Sequence, residues 1–205
     1  MPTVNIETII FDLGGVLIDW NPRHLFRKIF DDQKEMEHFR SEICTPDWNE
    51  QQDAGRSLAE ATSILVEQFP EYSNQIKAFY GRWEEMLGGP IEDTVELLEQ
   101  LKTRNNHRIY ALTNWSAETF PIALERYDFL QLFEGILVSG EEKLKKPDPR
   151  IYQLILERYD INPEKALFID DSLRNVKAAA EMGIHTIHFQ SPEDLKAELL
   201  KMELL

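Results

Sequence analysis

Six residues with reactive side chains follow short apolar runs. Asp12 follows TIIF, Thr113 and Asn114 follow RIYAL, Asp170 and Asp171 follow ALFI, and Lys146 comes in KLKKPDP just after GILVSG. Three carboxylates brought to one place repel each other and raise one another's pKa unless a cation sits among them. Mg²⁺ suits that role, because it is a hard ion that takes one or two carboxylates, keeps several waters and accepts a substrate phosphate. With the ion bound, a phosphoryl group can enter an otherwise negative site. Lys146 adds a second positive charge, while Thr113, Asn114 and the N–H groups of Leu13 and Gly14 hydrogen-bond the phosphoryl oxygens. Asp12 is best placed to attack phosphorus in line and form an aspartyl-phosphate. Gly14 and Gly15 let the backbone turn tightly against the reacting group.

Such a cluster needs a scaffold that gathers strand ends at one edge. Apolar runs at 8–12, 108–114, 135–140, 166–171 and 185–189 read as strands. Between them, 91–104, 117–127, 149–159 and 172–183 carry helical periodicity, the last with Ser172 as N-cap and Gly183 as stop. This alternation predicts an α/β fold: a Rossmann-like parallel sheet covered by helices on both faces. In open α/β sheets, ligands bind at the carboxyl ends of the strands, where all six residues fall. Residues 21–88 break the pattern with four amphipathic segments (RHLFRKIF, EMEHFRSEI, SLAEATSILVEQF and NQIKAFYGRWEEML) and no strand. The expected organisation is a catalytic core of 1–20 and 89–205 with a small helical cap, 21–88, inserted after the first strand.

With 37 acidic against 22 basic side chains the formal charge is −15, which repels nucleic acid and anionic membrane surfaces. The expected partner is a small phosphorylated metabolite, with no nucleic acid and no membrane. No run approaches the roughly 20 apolar residues of a membrane span, and the first residues lack the charge and apolar pattern of a secretory signal, so a cytoplasmic, soluble protein is expected. Cys44, the single cysteine, reads as a buried apolar side chain. The five histidines, at 24, 38, 107, 185 and 188, show no ligand spacing.

At these positions the sequence resembles the haloacid dehalogenase superfamily of phosphohydrolases. The matching stretches are FDLGGVL (11–17), LTN (112–114), KKPDPRIY (145–152) and FIDD (168–171), in the family's order. Within the superfamily it is similar to the branch containing the phosphatase domain of soluble epoxide hydrolase and a bacterial glucose-1-phosphate phosphatase, with WNEQQDAGRSLAEA (48–61) resembling the cap segment. The resemblance implies that Asp12 is both nucleophile and metal ligand, that the Gly14 carbonyl and Asp171 bind Mg²⁺, and that Asp170 supports the ion through water or as a second ligand. It assigns phosphate binding to Thr113, Asn114 and Lys146, with Lys146 preferred over Lys145 because it directly precedes Pro147.

The sequence departs from the family at Gly14, where most of its phosphatases carry a second aspartate that protonates the leaving group. Loss of general acid–base help costs on the order of 10² to 10⁴ in rate. Asp19 or the cap residue Asp53 can stand in. Trp20 and Trp115 lie close enough to motifs to line a leaving-group pocket, whereas Trp48, Trp83 and Phe79 read as cap core. Two other functions use the same residues. A dehalogenase would use Asp12 on carbon without a metal and carry an aromatic residue in place of Gly14, and the Asp170–Asp171 pair argues against it. A phosphate-binding regulatory module would turn over poorly.

Overall fold

The computed structural model describes residues 5–205. The strands are β1 Thr8–Phe11, β2 Ile18–Trp20, β3 Leu87–Pro90, β4 Arg108–Thr113, β5 Gly135–Val138, β6 Ala166–Asp170 and β7 His185–His188. The helices are α1 Arg23–Phe26, α2 Gln33–His38, α3 Pro46–Asp53, α4 Leu58–Gln68, α5 Ser73–Gly81, α6 Glu92–Arg104, α7 Phe120–Arg126, α8 Ser139–Glu142, α9 Pro149–Arg158, α10 Leu173–Glu181 and α11 Pro192–Lys201. A five-stranded sheet runs in the order β5-β4-β1-β6-β7, and every pairing in it is parallel. This is the α/β, Rossmann-like architecture expected from the alternation of apolar runs and helical segments.

The sheet is buried on both faces, which is why its strands read as unbroken apolar runs. Ile9, Phe11, Ile109, Ala111, Leu167 and Ile169 point to one face and pack with Leu97, Leu98 and Leu101 of α6 and Leu195 and Leu199 of α11. Their strand neighbours Ile10, Tyr110, Leu112 and Phe168 point to the other, against Ile151, Tyr152 and Ile155 of α9 and Ala179 of α10. Helix ends follow local chemistry. Asp148 caps α9 by accepting from the Arg150 N–H, with Pro149 in the first turn. Gly183 follows α10 at φ +81°, a conformation that suits glycine. Ser172 stands at the N-cap position of α10 but its hydroxyl caps nothing; its N–H donates instead to Asp170 Oδ1 (2.8 Å).

The sequence pattern missed a two-stranded antiparallel ribbon, β2 with β3. Every element between its two strands is a helix or helical turn. The missed helix α11 carries a plain start signal, Ser191 accepting from the Asp194 N–H with Pro192 in the first turn. The missed helix α3 starts with Thr45 accepting from the Trp48 N–H and with Pro46. Its interior, WNEQQD, is too polar to show an apolar stripe. No helix among the described residues is long and apolar enough to cross a membrane.

Candidate active site

β1, β4 and β6 lie side by side, so their carboxyl ends deliver Asp12, Thr113–Asn114 and Asp170–Asp171 to one edge. One carboxylate oxygen from each of Asp12, Asp170 and Asp171 lies within 4.8 Å of the others. The loop after α8 brings in Lys146, which is completely buried. Its ammonium donates to Leu112 O (2.8 Å) and Asp170 Oδ2 (2.7 Å) and forms an ion pair with Asp12 Oδ1 at 2.9 Å. Lys146 thus places one buried positive charge beside two of the acids. Burial alone would push its ammonium down, but Asp12 and Asp170 outweigh burial and hold it above the usual lysine value. Asp12 is held well above the ordinary carboxylate range, chiefly by burial and partly by Asp170 and Asp171, with Lys146 pulling the other way. Asp171 is also raised, by burial and then by Asp170.

The two adjacent aspartates have different surroundings. Asp170 is fully buried, and its oxygens accept from Lys146 Nζ, the Ser172 N–H and both contacts of Asn175 Nδ2 (3.1 Å each). Asp171 is exposed at the mouth of a cavity of about 390 Å³ that Asp12, Gly14 and Gly15 also line. The Asn114 side chain clamps the main chain of Lys146, donating to its carbonyl (3.0 Å) and accepting from its N–H (2.8 Å), and it also lines the cavity. Thr113 is buried with Oγ1 unpartnered. Leu13 is buried, and its N–H donates to Asp12 Oδ1 (2.7 Å), which orients the carboxylate. The Gly14 N–H donates to no acceptor among the described residues.

Gly15 is required by its surroundings. Its φ is +76°, and a Cβ there would stand 2.4 Å from Asp171 Oδ2. Gly15→Ala is expected to cost about 1–3 kcal/mol in backbone strain alone and to displace Asp171. If Asp171 holds the ion, the Mg²⁺ concentration for half-maximal activity should rise about 10–100-fold. A titration that superimposes on wild type would rule out that role for Asp171.

Above the edge lie residues from the helical block. Asn49, Glu50 and Asp53 of α3, with Arg40 and Phe79, line the same cavity as Asp12. Glu50 bridges Lys145 and Arg174, tying α3 to the core loop and to α10. A smaller space of about 70 Å³ adjoins it, walled by Trp20, Tyr80, Trp83 and Trp115 and sharing Gly14, Asn49, Asp53 and Asn114 with the larger one. Trp20 and Trp115 thus line a pocket beside the acids, and their indole N–H groups are buried without acceptors. Trp83, read from sequence as core, is a wall of that space, set edge-on to Trp115 at 5.5 Å. Phe79 is both core and wall, whereas Trp48 packs on Phe79 and Tyr80. Cys44 is buried, and burial pushes its thiol up and away from reactivity. No histidine joins the acidic cluster; His24 pairs with Asp19 (2.8 Å) and His188 contacts the Asp171 carbonyl (2.9 Å).

The model of the haloacid dehalogenase-like hydrolases matches residues 6–183. The chain belongs to that family. Among curated proteins, this haloacid dehalogenase-like hydrolase is 30% identical over 182 residues to a sesquiterpene phosphatase of Aspergillus oryzae, covering 89% of each chain. It is 28% identical over 190 residues to a phosphorylated carbohydrates phosphatase of Thermotoga maritima, covering 89% of this chain and 84% of that one. A HAD family enzyme of Bacteroides thetaiotaomicron, solved as a magnesium complex, superposes with a TM-score of 0.75 at 27% identity, over 95% of this chain and 98% of that one. The same enzyme has been solved with magnesium and inorganic phosphate; that structure gives 0.68 at 30% identity, over 90% and 94%.

Proposed function

We propose that this hydrolase is a Mg²⁺-dependent phosphatase that releases inorganic phosphate from a small phosphomonoester through an aspartyl-phosphate on Asp12. The observation that carries the reading is the placement of Asp12 in a cavity beside Asp171, with the buried Lys146 ammonium paired to it and to Asp170. The donor set suits a hard cation, since the three clustered side chains Asp12, Asp170 and Asp171 all offer carboxylate oxygens. Asp12, Asp171 and the Gly14 carbonyl would hold it. The four donor contacts already made to Asp170 favour a supporting place for that residue. Bound there, Mg²⁺ would supply positive charge that stabilises the phosphoryl oxygens.

Asp12 attacks phosphorus with the oxygen that Leu13 and Lys146 leave free. The free Gly14 N–H and the remaining amide hydrogen of Asn114 bind phosphoryl oxygens, and buried Lys146 aims Asp12 and pulls it toward its charged form. Residues 21–88 act as a cap that closes the site from water, and Glu50 is its tie to the core. The leaving group lies against Trp20, Tyr80, Trp83 and Trp115. Ring faces and two unpartnered indole donors suit an alcohol with an apolar face and oxygen acceptors, as in a sugar phosphate. Phosphatase relatives with terpenoid and carbohydrate names support this reading.

Chelation separates this reading from metal-free dehalogenation on Asp12. EDTA should abolish phosphate release from a panel of sugar phosphates, and excess Mg²⁺ should restore it. Release that persists in EDTA sinks the metal-dependent mechanism.

A further inference from the structure

The family's usual proton donor, two residues after the nucleophile, is replaced here by Gly14. Nothing lies within 4 Å of where a Cβ at Gly14 would stand, so the space for that carboxylate is open. Asp19, one of the two stand-ins suggested by sequence, is ion-paired with His24 and lines neither cavity. Asp53, the other, lines both, together with Gly14 and Asn114, and shares the larger with Asp12. Asp53 is half-buried, and its carboxyl meets no hydrogen-bond or ion-pair partner among the described residues. It also closes the C-terminal end of α3, where the helix dipole disfavours a negative charge.

The helix that carries Asp53 is firmly held. Glu50 is gripped by Lys145 and Arg174; Gln52 donates to Trp48 O (2.8 Å) and to the Tyr80 hydroxyl (2.7 Å), which in turn donates to Asn49 (2.9 Å). An unpartnered acid at a disfavoured helix end, on a helix so well positioned, breaks local rules without structural return, which is the usual mark of a functional residue.

We propose that Asp53 is the general acid and base of the reaction, reaching from the cap into the space that Gly14 leaves open. This rests on the phosphatase reading. In the first step an Asp12 oxygen bonds to phosphorus, the bond from phosphorus to the leaving oxygen breaks, and the Asp53 proton passes to that oxygen, giving the free alcohol and an Asp53 carboxylate. In the second step that carboxylate takes a proton from water as the water oxygen bonds to phosphorus. The bond from phosphorus to Asp12 then breaks, releasing phosphate, restoring the Asp12 carboxylate and leaving Asp53 protonated for the next cycle.

The charge around Asp53 fits both halves. Burial, and then Glu50 on its own helix, raise its carboxyl, while Lys145 and Lys146 from the loop pull back, leaving it at about 7. Arg40, Arg174, Asp12, Asp171 and Cys44 line the larger cavity with it, and Tyr80 lines the smaller. An acid poised near the working pH can give and retake a proton within one cycle.

The test compares wild type with Asp53→Asn on glycerol 2-phosphate, whose alkoxide is a poor leaving group, and 4-nitrophenyl phosphate, whose phenolate is a good one, both with Mg²⁺. Wild-type kcat/KM on glycerol 2-phosphate should fall about tenfold per pH unit above the Asp53 pKa, and Asp53→Asn should lose that limb. The variant's kcat/KM should drop about 10²–10⁴-fold on glycerol 2-phosphate and far less on 4-nitrophenyl phosphate, with a burst of nitrophenolate as aspartyl-phosphate accumulates. Gly14→Asp placed in the Asp53→Asn background should recover part of the loss. Asp19→Asn should match wild type, and Asp53→Ser serves if the asparagine variant does not fold. Equal losses on the two substrates, or kcat/KM on glycerol 2-phosphate unchanged, overturn the assignment. Asp12→Asn run alongside keeps the two ideas apart. Phosphate release that survives Asp12→Asn sinks the phosphatase reading; release that dies with it but survives Asp53→Asn sinks only the role of Asp53.

Discussion

Asp12→Asn is expected to lower phosphate release on the order of 10⁴- to 10⁶-fold, the scale seen when a covalent nucleophile is removed. The substitution keeps the side chain's size and one acceptor oxygen, so the Leu13 N–H and Lys146 contacts to Oδ1 can persist. Only the nucleophilic oxygen and the charge are lost. The fold should not suffer. A carboxyl whose folded pKa is raised above its unfolded value favours folding only at acid pH, and that contribution is lost as pH rises through the folded pKa. Asp12 is such a group, raised mainly by burial. At neutral pH and without metal, the asparagine variant should therefore melt at or above the wild-type temperature while its activity collapses. That is the pattern of a site whose charge serves chemistry at the expense of stability. Phosphate release within about tenfold of wild type would show that Asp12 is not the nucleophile, since general electrostatic roles alone are worth less than nucleophile loss.

How much of this was legible in the sequence depends on how local each signal is. The five core strands could be read because burial on both faces makes each one an apolar run, and because three of them end in the polar residues that meet at the edge. The β2–β3 ribbon could not, since IDW and LGGP are too short and glycine-rich to show alternation, and only the pairing across the inserted helices makes them strands. Helix α3 was hidden because its sides face the cavity and polar partners, so no apolar stripe marks it, although its Thr-Pro start was visible. Within the site, residue types and order brought Asp12, Lys146 and the aspartate pair to notice. The sequence was silent on how they divide the work, which needs distances. Lys146 pairs with two acids and donates to Leu112 O, and Asp170 is occupied by Asn175, which no motif singled out, and by the Ser172 N–H, where sequence suggested only a helix cap. The Glu50 bridge joins residues far apart in the chain and leaves no local trace at all.

The division of work around Lys146 predicts a large stability effect. Lys146→Met keeps the side chain's length and apolar stem but removes the ammonium that pairs with Asp12 and Asp170, both of them buried. Removing one partner of a buried ionic cluster strands the remaining charge, at about 3–5 kcal/mol. In a chain of 205 residues that corresponds to a fall in melting temperature on the order of 10 °C. The loss should depend on pH in a definite direction. Lys146 lowers the pKa values of Asp12 and Asp171, so without it both, already raised by burial, rise further. Acids raised in the folded state stabilise it below the ordinary aspartate range of about 3.9 and lose that contribution as pH climbs through the folded value. The gap between variant and wild type should therefore be widest at neutral to alkaline pH and narrow as the solution is acidified through the raised pKa values. Added salt should change it little, because the cluster is shielded from solvent. Mg²⁺ should recover part of it, since a cation bound among the acids replaces some of the missing charge and stabilises the folded state by binding it. Chemical denaturation at two pH values, with and without Mg²⁺, measures all of this. A gap that widens toward acid would mean that Lys146 does not hold the carboxylates in their charged form.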